Sequence, residues 1–311
     1  MKLMTAIHTE VTSDVKIAQR LSLAMQLIAA FIMIGSLASS VAIGLNLMVV
    51  PGSDVLLQSN GPVIYLDAAT VGAGPYYLHL TGATYVLTED ISTPGTAIVF
   101  ASQNVTLDLN QHTVTFGTSS SPYRYGVALP PSYADTNGLW VNSDITVWRN
   151  SSGGVVKNGT IVQGSGRGAN SAAFISYAED NITLQDTTIT VNGDDTFAAR
   201  IEYGGTFHVS GNTITDNTTV VSNRHQGRAS VDFINISTEA TLEVFGNTIN
   251  NSRQWGIRVA RGDTVGTWGH IYNNNIYTNT IVTNGYGIGV HGGRLEVYDN
   301  TIHATNGRGI H

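Results

Sequence analysis

Two adjacent carboxylates, Asp194 and Asp195, are the first candidates for catalysis in the sequence. They lie in the segment VNGDDTFAARIEY, where one apolar stretch ends and the next begins. Neighbouring carboxyl groups can share a proton or bind a cation, which suits glycoside hydrolysis or calcium binding. The structural alternative is a simple corner, because Asn, Gly and Asp are common residues of tight turns.

Arginines recur at one position of a later series of segments. When FAARIEY, SVDFINI, WGIRVA, YGIGVH and RGIH are aligned on their apolar residues, the opposite face reads Arg200, Asp232, Arg258, Gly289 and His311. Arginine forks bind carboxylates in a bidentate manner, so Arg200 is predicted to bind a uronate sugar and Arg258 to join the catalytic residues. The alternative is a ladder of ion pairs between neighbouring strands.

The histidines show no ligand spacing of the H-x₃-H kind, so they do not predict a metal site. His225, between Arg224 and Arg228, is the best candidate for a general base. The structural alternative for His225 is a solvated loop residue.

An aromatic insertion over residues 117–148 interrupts the regular pattern of the chain. Aromatic rings with a nearby arginine suit stacking on sugars, so Arg124, Tyr125 and Trp140 are predicted to bind substrate. The alternative is that these rings cover the N-terminal end of the core.

Repeated segments must position these residues. NITLQDTTI, TFHVSGNTI, TLEVFGNTI, GHIYNNNI and RLEVYDNTI share one template of alternating apolar residues, a polar stretch and a closing isoleucine. From Ile161 onward the closing positions are 28, 25, 35, 27 and 26 residues apart. The template predicts a first buried column made of Leu109, Leu184, Val209, Val244, Ile271 and Val297. It predicts a second column at the closing positions Val114, Ile161, Ile189, Ile214, Ile249, Ile276 and Ile302.

Each template predicts a short strand, a tight corner and a second short strand. Apolar residues two apart share one face of a strand, whereas the closing residue follows five positions later, an odd spacing that requires a bend. Asn and Gly in the bends accept the left-handed backbone of a corner. Stacked repeats are predicted to join the amides of four asparagines in a ladder: Asn212, Asn247, Asn274 and Asn300.

The predicted fold is all-β, with about three short strands in each coil of the repeat. No proline follows Pro131, as expected where every strand donates its N–H groups to a neighbour. The segment ATYVLTEDISTPGTAIVFASQNVTLDLNQHTV resembles the opening coil of right-handed parallel β-helix proteins of the pectate-lyase-like (pectin-lyase-fold) superfamily. The GNTI and DNTI bends resemble the generic repeats of the same superfamily.

The resemblance implies a right-handed parallel β-helix solenoid but no single activity, because the superfamily mixes lyases, hydrolases, epimerases, tailspikes and non-catalytic surface proteins. GDDTFAARI also resembles the GDD-x-I-A segment of polygalacturonase-like glycoside hydrolases, in which both acids are catalytic. The lyases of the superfamily use a base, often Lys or Arg, and calcium or another cation on the uronate. The cofactor prediction is therefore limited to calcium.

Composition narrows the choice of partners. The chain has 311 residues, no cysteine, 12% charged residues and a net charge of −7. An acidic, charge-poor chain argues against nucleic-acid binding, and the lack of cysteine excludes disulfides, thiolate zinc sites and a cysteine nucleophile. The predicted partner is a polysaccharide, with membrane contact only through the N-terminal segment.

The N-terminus predicts a targeting segment. Residues 1–20 form a basic region, and residues 21–50 form an apolar helix that is either a cleaved signal peptide or a signal anchor. A lead-in or capping segment over residues 51–82 and the solenoid over residues 83–311 are expected to follow. The last coil has no polar cap, which predicts that the sequence is the front of a longer protein. The solenoid is expected to be secreted or displayed at the cell surface.

Taken with the resemblance, these features predict an extracytoplasmic protein that binds or cleaves an acidic polysaccharide, as a lyase or a glycoside hydrolase. The alternative is a non-catalytic extracellular stalk or adhesin, which the regular repeat favours. An enzyme is expected to bring five side chains into one cleft: Asp194, Asp195, Arg200, His225 and Arg258.

Overall fold

The computed structural model describes residues 61–130, 153–166, 171–177, 181–194, 196–202, 205–218, 229–234, 240–252, 255–260, 267–279, 286–305 and 308–311. Four further strands are described by their backbone alone: β1 (Leu45–Leu47), β2 (Leu57–Ser59), β11 (Leu139–Asn142) and β12 (Ile145–Trp148). All of these residues belong to one compact unit, residues 42–311. The segment predicted as a helix, residues 21–50, lies outside the described residues except for the three residues of β1. Among the described residues, no helix is long and apolar enough to span a membrane.

Parallel strands dominate the described part of the chain, and we number them in chain order. Nine of them form the short sheet: β4 (Tyr76–Leu78), β7 (Ile98–Phe100), β10 (Tyr125–Leu129), β14 (Ala172–Ser176), β16 (Phe197–Glu202), β19 (Ala229–Ile234), β22 (Trp255–Ala260), β25 (Tyr286–His291) and β28 (Arg308–Ile310).

A larger sheet, the long sheet, has two rows of strands. Its first row is β3 (Val63–Leu66), β5 (Thr84–Leu87), β8 (Val105–Asp108), β13 (Gly154–Gln163), β15 (Ile182–Val191), β17 (Thr206–Ser210), β20 (Thr241–Phe245), β23 (Trp268–Tyr272) and β26 (Arg294–Tyr298). Its second row is β6 (Ile91–Ser92), β9 (Thr113–Phe116), the later halves of β13 and β15, β18 (Thr213–Asp216), β21 (Thr248–Ser252), β24 (Asn275–Asn279) and β27 (Thr301–Thr305).

Two antiparallel pairs, β1 with β2 and β11 with β12, and one short helix, α1 (Ala68–Val71), complete the described elements. The Asp67 side chain caps α1 by accepting a hydrogen bond from the amide of Thr70. The successive parallel sheets agree with the predicted all-β fold and are compatible with a β-helix, in which each coil gives one strand to the short sheet and one to each row of the long sheet.

The corners between the two rows lie where the template predicts them. Three residues before each closing position the backbone is left-handed, at Asn158, Asp186, Gly211, Gly246, Asn273 and Asp299. Consecutive closing residues are paired in register from Val114 through Ile302, so the second predicted column is confirmed. Its members up to Ile276 are fully buried, while Ile302 in the edge strand is partly buried.

The first predicted column is correct from Leu184 onward and wrong at its start. Leu184, Val209, Val244 and Ile271 are buried and in register, and Val297 packs against the same core. The residue in register before them is Val156, and Leu107 rather than Leu109 precedes it. The corner after Leu109 contains two consecutive left-handed residues, Asn110 and Gln111, so this coil has two extra residues before its closing valine.

The predicted asparagine ladder is present. The side-chain nitrogens of Asn212, Asn247 and Asn274 each donate to the side-chain oxygen of the next asparagine at 2.9 Å, ending at Asn300. Each of the first three also donates its backbone N–H to that same oxygen, at 3.0–3.1 Å. The first three are 1% exposed, so these bonds satisfy polar groups that water cannot reach.

A second ladder runs along the far ends of the second-row strands. Asn217 donates to Asn192, Asn251 to Asn217, and Asn279 to Asn251, at 3.1–3.3 Å. Here each donor points to the preceding coil, whereas in the first ladder each donor points to the following coil. Both edges of the second row are therefore held by side-chain amides as well as by backbone bonds.

Candidate functional site

The arginine series has the predicted register on the outward face of the short sheet. Arg200 pairs with Asp232 in neighbouring strands, Asp232 with Arg258, and Arg258 with Gly289. Arg258 donates two hydrogen bonds to Asp232, from Nε to Oδ1 at 2.7 Å and from Nη2 to Oδ2 at 2.6 Å. Burial raises the pKa of the Asp232 carboxyl, and the Arg258 guanidinium opposes that shift. The guanidinium of Arg258, predicted to join the catalytic residues, therefore holds an internal carboxylate.

Arg200 is also engaged within the protein. Its Nη2 lies 2.5 Å from Oε1 of Glu202, and its guanidinium lies over the ring of Phe197 at 4.9 Å. Asp232 is fully buried, and the side chains of Glu202 and Arg258 are 7% and 8% exposed. The Asp232–Arg258 pair matches the structural alternative, an ion pair between neighbouring strands, whereas the Arg200–Glu202 pair lies within β16.

The predicted acid pair lies at a corner just before β16. Asp194 is partly exposed in a turn, and Asp195 lies outside the described residues. The carboxamide oxygen of Gln163, in the preceding coil, accepts the backbone N–H groups of Asn192 at 2.9 Å and Gly193 at 2.7 Å. This anchoring gives the segment a structural role as a corner, and a catalytic role for the pair stays a prediction.

The remaining predicted residues are dispersed or not described. Tyr125 is 2% exposed, in an apolar cluster on the outward face of the short sheet with Val99, Ala128, Ala172, Ile175 and Phe197. The backbone N–H of Arg124 donates to Ser171 at 3.0 Å, which fixes the start of β10. Trp140 lies in β11, known by its backbone alone, and His225 lies outside the described residues. In the described ranges, no three His, Asp or Glu side chains are grouped to hold a metal ion, so no calcium site is assigned.

A different surface combines exposed rings with charges. On the outward face of β20, β23 and β26 the rings of Phe245, Tyr272 and Tyr298 stack in parallel, with centroids 5.0 and 5.1 Å apart. Trp268, at the other end of β23, is 53% exposed, and Tyr298 is 42% exposed. We call this surface the aromatic face.

A row of charges crosses the middle of the aromatic face. Nδ1 of His270 lies 2.6 Å from Oε1 of Glu243, and its Nε2 lies 3.7 Å from Oε2 of Glu296. The hydrogen bond with Glu243 raises the pKa of His270, and the charges of both glutamates add to this effect. Arg294 is exposed opposite Trp268 in the register, and no other described residue pairs with its guanidinium. The face thus offers rings, carboxylates, an imidazole and an arginine fork to one ligand.

The sequence template did not predict this surface, because it aligned only the residues that face the core. The intervening residues of TLEVF, WGHIY and RLEVY are the outward ones, and strand alternation puts them on one face. Aligning those positions gives the columns Glu243–His270–Glu296 and Phe245–Tyr272–Tyr298 directly. The signal was therefore present in the same segments.

Comparison of the chain with protein-family models, with curated proteins and with solved structures finds no match. The functional conclusion therefore depends on the geometry of the described residues.

Proposed function

We propose that the chain is an extracytoplasmic, right-handed parallel β-helix protein that binds an acidic polysaccharide on the aromatic face. The handedness follows the general rule for crossovers between parallel strands. The observation that carries the function is that the exposed Trp268 lies in register with Arg294, whose guanidinium pairs with no other residue in the described ranges.

The chemistry of the face suits a sugar acid. Aromatic rings pack against the apolar faces of sugars, and an indole that is half exposed has surface free for such a contact. The guanidinium of Arg294 supplies a bidentate donor for a carboxylate, the role that Arg200 and Arg258 cannot fill while they hold Glu202 and Asp232. The carboxylates of Glu243 and Glu296 can accept hydrogen bonds from sugar hydroxyl groups. The imidazole of His270 can donate a hydrogen bond to a hydroxyl group or accept one from it.

Binding is measured by calorimetry with alginate, polygalacturonate, hyaluronan and the neutral polymer dextran. We expect Trp268→Ala to weaken binding of the best acidic polymer about tenfold or more, as for a central aromatic contact. Tyr277→Ala is the matched control, because Tyr277 is 40% exposed in the second row and stacks on His303. Equal losses in the two variants, or binding of dextran alone, would contradict the proposal. Release of reducing ends or unsaturated uronates from the bound polymer would add cleavage to binding.

A non-catalytic stalk is the second candidate, and the ladders favour it. Two rows of asparagine amides, the buried Asp232–Arg258 pair and the stacked rings all use side chains to join neighbouring coils. Such cross-links suit an extended structural element. A protein that binds none of the four polymers would have this function instead.

A further inference from the structure

We propose that the binding surface continues from the aromatic face into a second subsite that takes an uncharged sugar, so that the ligand is a polymer mixing ionised and uncharged sugars. This inference rests on the proposed function. The second subsite is a depression on the outward face of β15 and β17 with a cavity volume of about 340 Å³, which we call the polar groove. It is lined by Asn181, Ile182, Thr183, Gln185, Thr206 and His208.

The polar groove and the aromatic face share the same columns of outward residues. Thr183 and His208 precede Glu243, His270 and Glu296 in register. Neighbouring strands are about 4.8 Å apart, so the four steps from Thr183 to Glu296 span about 19 Å. A polymer that lies along the stacking direction therefore crosses both regions.

The groove presents hydrogen-bonding groups that are free within the part of the chain that the structure describes. Within the described ranges, the side chains of Thr183, Gln185, Thr206 and His208 make no hydrogen bond to another residue. Their neighbours are engaged, since Lys157 lies 3.5 Å from Asp108 and His270 lies 2.6 Å from Glu243. Free hydroxyl and amide groups match the hydroxyl groups of a neutral sugar.

No Lys or Arg side chain lines this groove to pair with a carboxylate, and the ring of His208 in its lining packs edge-on against Phe245. Burying an ionised group without a counter-charge is unfavourable, whereas a neutral hydroxyl exchanges hydrogen bonds with little loss. The groove therefore selects an uncharged sugar, and the carboxylate of the charged sugar is bound by Arg294.

A contact between two aromatic rings lies where the polar groove meets the aromatic face. The ring of His208 meets the ring of Phe245 edge-on, with centroids 5.0 Å apart. Tyr272 stacks on the same phenyl ring from the following coil, so Phe245 and His208 mark the boundary between the polar groove and the aromatic face.

The test compares alginate with partially esterified alginate of the same length, since the two differ only in the fraction of charged sugars. We expect the esterified polymer to bind the unmodified protein about fivefold more tightly, because an esterified unit that hydrogen-bonds in the groove places no unpaired carboxylate there. The variant Thr183→Ala/Gln185→Ala is expected to remove that difference. Thr188→Ala is the control, because Thr188 is exposed on the same strand beyond the corner.

The outcomes separate this inference from the proposed function. Equal affinity for the two polymers, or a difference that persists in the groove variant, would overturn the polar groove while the Trp268→Ala result still stands. An unchanged affinity in Trp268→Ala would remove the aromatic face. Absence of binding to both alginates would overturn the polar groove, and the proposed function falls with it only if polygalacturonate and hyaluronan also fail to bind.

Discussion

Replacing Asn247 with leucine is expected to destabilise the protein, because Asn247 is the centre of the first ladder. Its side-chain oxygen accepts the backbone N–H of Asn212 at 3.0 Å and the Asn212 side chain at 2.9 Å. Its side-chain nitrogen donates to the carbonyl of Val209 and to the oxygen of Asn274, both at 2.9 Å. Leucine is similar in size but offers none of these bonds.

The magnitude follows from which partners are left without a bond. The backbone N–H of Asn212 is buried and loses its acceptor, which costs about 1–3 kcal/mol. The Asn212 side chain keeps its bond to the carbonyl of Leu184, and the Asn274 oxygen keeps the backbone N–H of residue 247. Each of these two losses costs about 1 kcal/mol, for a total of about 3–5 kcal/mol. For a chain of this size we expect the melting temperature to fall by about 5–15 °C.

The control is Thr248→Leu, one residue away on the outward side of β21. Thr248 is partly exposed, and the bond of its backbone N–H to the carbonyl of Asn212 does not depend on its side chain. Hydrogen exchange adds a local measurement, since the amide of Asn212 is expected to lose protection in Asn247→Leu alone. Equal melting temperatures for the two variants, with Asn212 still protected, would refute the ladder as a source of stability.

Two further predictions concern the last coils. His270 has a raised pKa in the folded state, so its contribution to stability is fully present below pH about 6.5 and is lost as pH rises through the raised value. The difference in melting temperature between the unmodified protein and His270→Gln should therefore be larger at pH 5.5 than at pH 8.5, and a constant difference would count against the charge row. A Cβ at Gly289 would overlap the indole of Trp255, so Gly289→Ala should destabilise by about 1–3 kcal/mol and change the tryptophan fluorescence. Gly309→Ala meets no atom within 4 Å and should have little effect, so equal unfolding free energies for the two variants would disprove the overlap.

Sequence periodicity was sufficient for the register of most coils but not for local insertions. The closing isoleucines and the bend asparagines are fixed by an odd spacing and by a left-handed corner, both of which are visible in the sequence. Leu109 was assigned wrongly because the pair Asn110 and Gln111 lengthens its corner, and a template with constant spacing cannot show this. The second ladder was missed for a similar reason, since the register shifts between Ile249 and Ser252.

The candidate site was harder to predict, because strand register does not show which charged side chains already form ion pairs within the protein. The predicted column of Arg200, Asp232 and Arg258 has the correct register. Its two arginines, however, bind the internal carboxylates of Glu202 and Asp232. The choice between an ion-pair ladder and a substrate site depends on side-chain distances and burial. Exposure likewise distinguishes Trp268, at 53%, from Trp255, at 5%, although both begin a strand.

The spacing of the two asparagine ladders determines which block of residues can be removed without breaking either ladder. One step of the first ladder, from Asn247 to Asn274, is 27 residues long, and the intervening stretch contains Asn251 of the second ladder. Removing residues 248–274 as a block takes one amide from each ladder and leaves Asn247 facing Asn300 and Asn217 facing Asn279. Because each donor still meets an acceptor, both ladders rejoin, and Phe245 comes to lie beside Tyr298. The same deletion removes Arg258 and leaves the buried Asp232 opposite Gly289, so the amide ladders permit the loss of this coil whereas the buried ion pair opposes it.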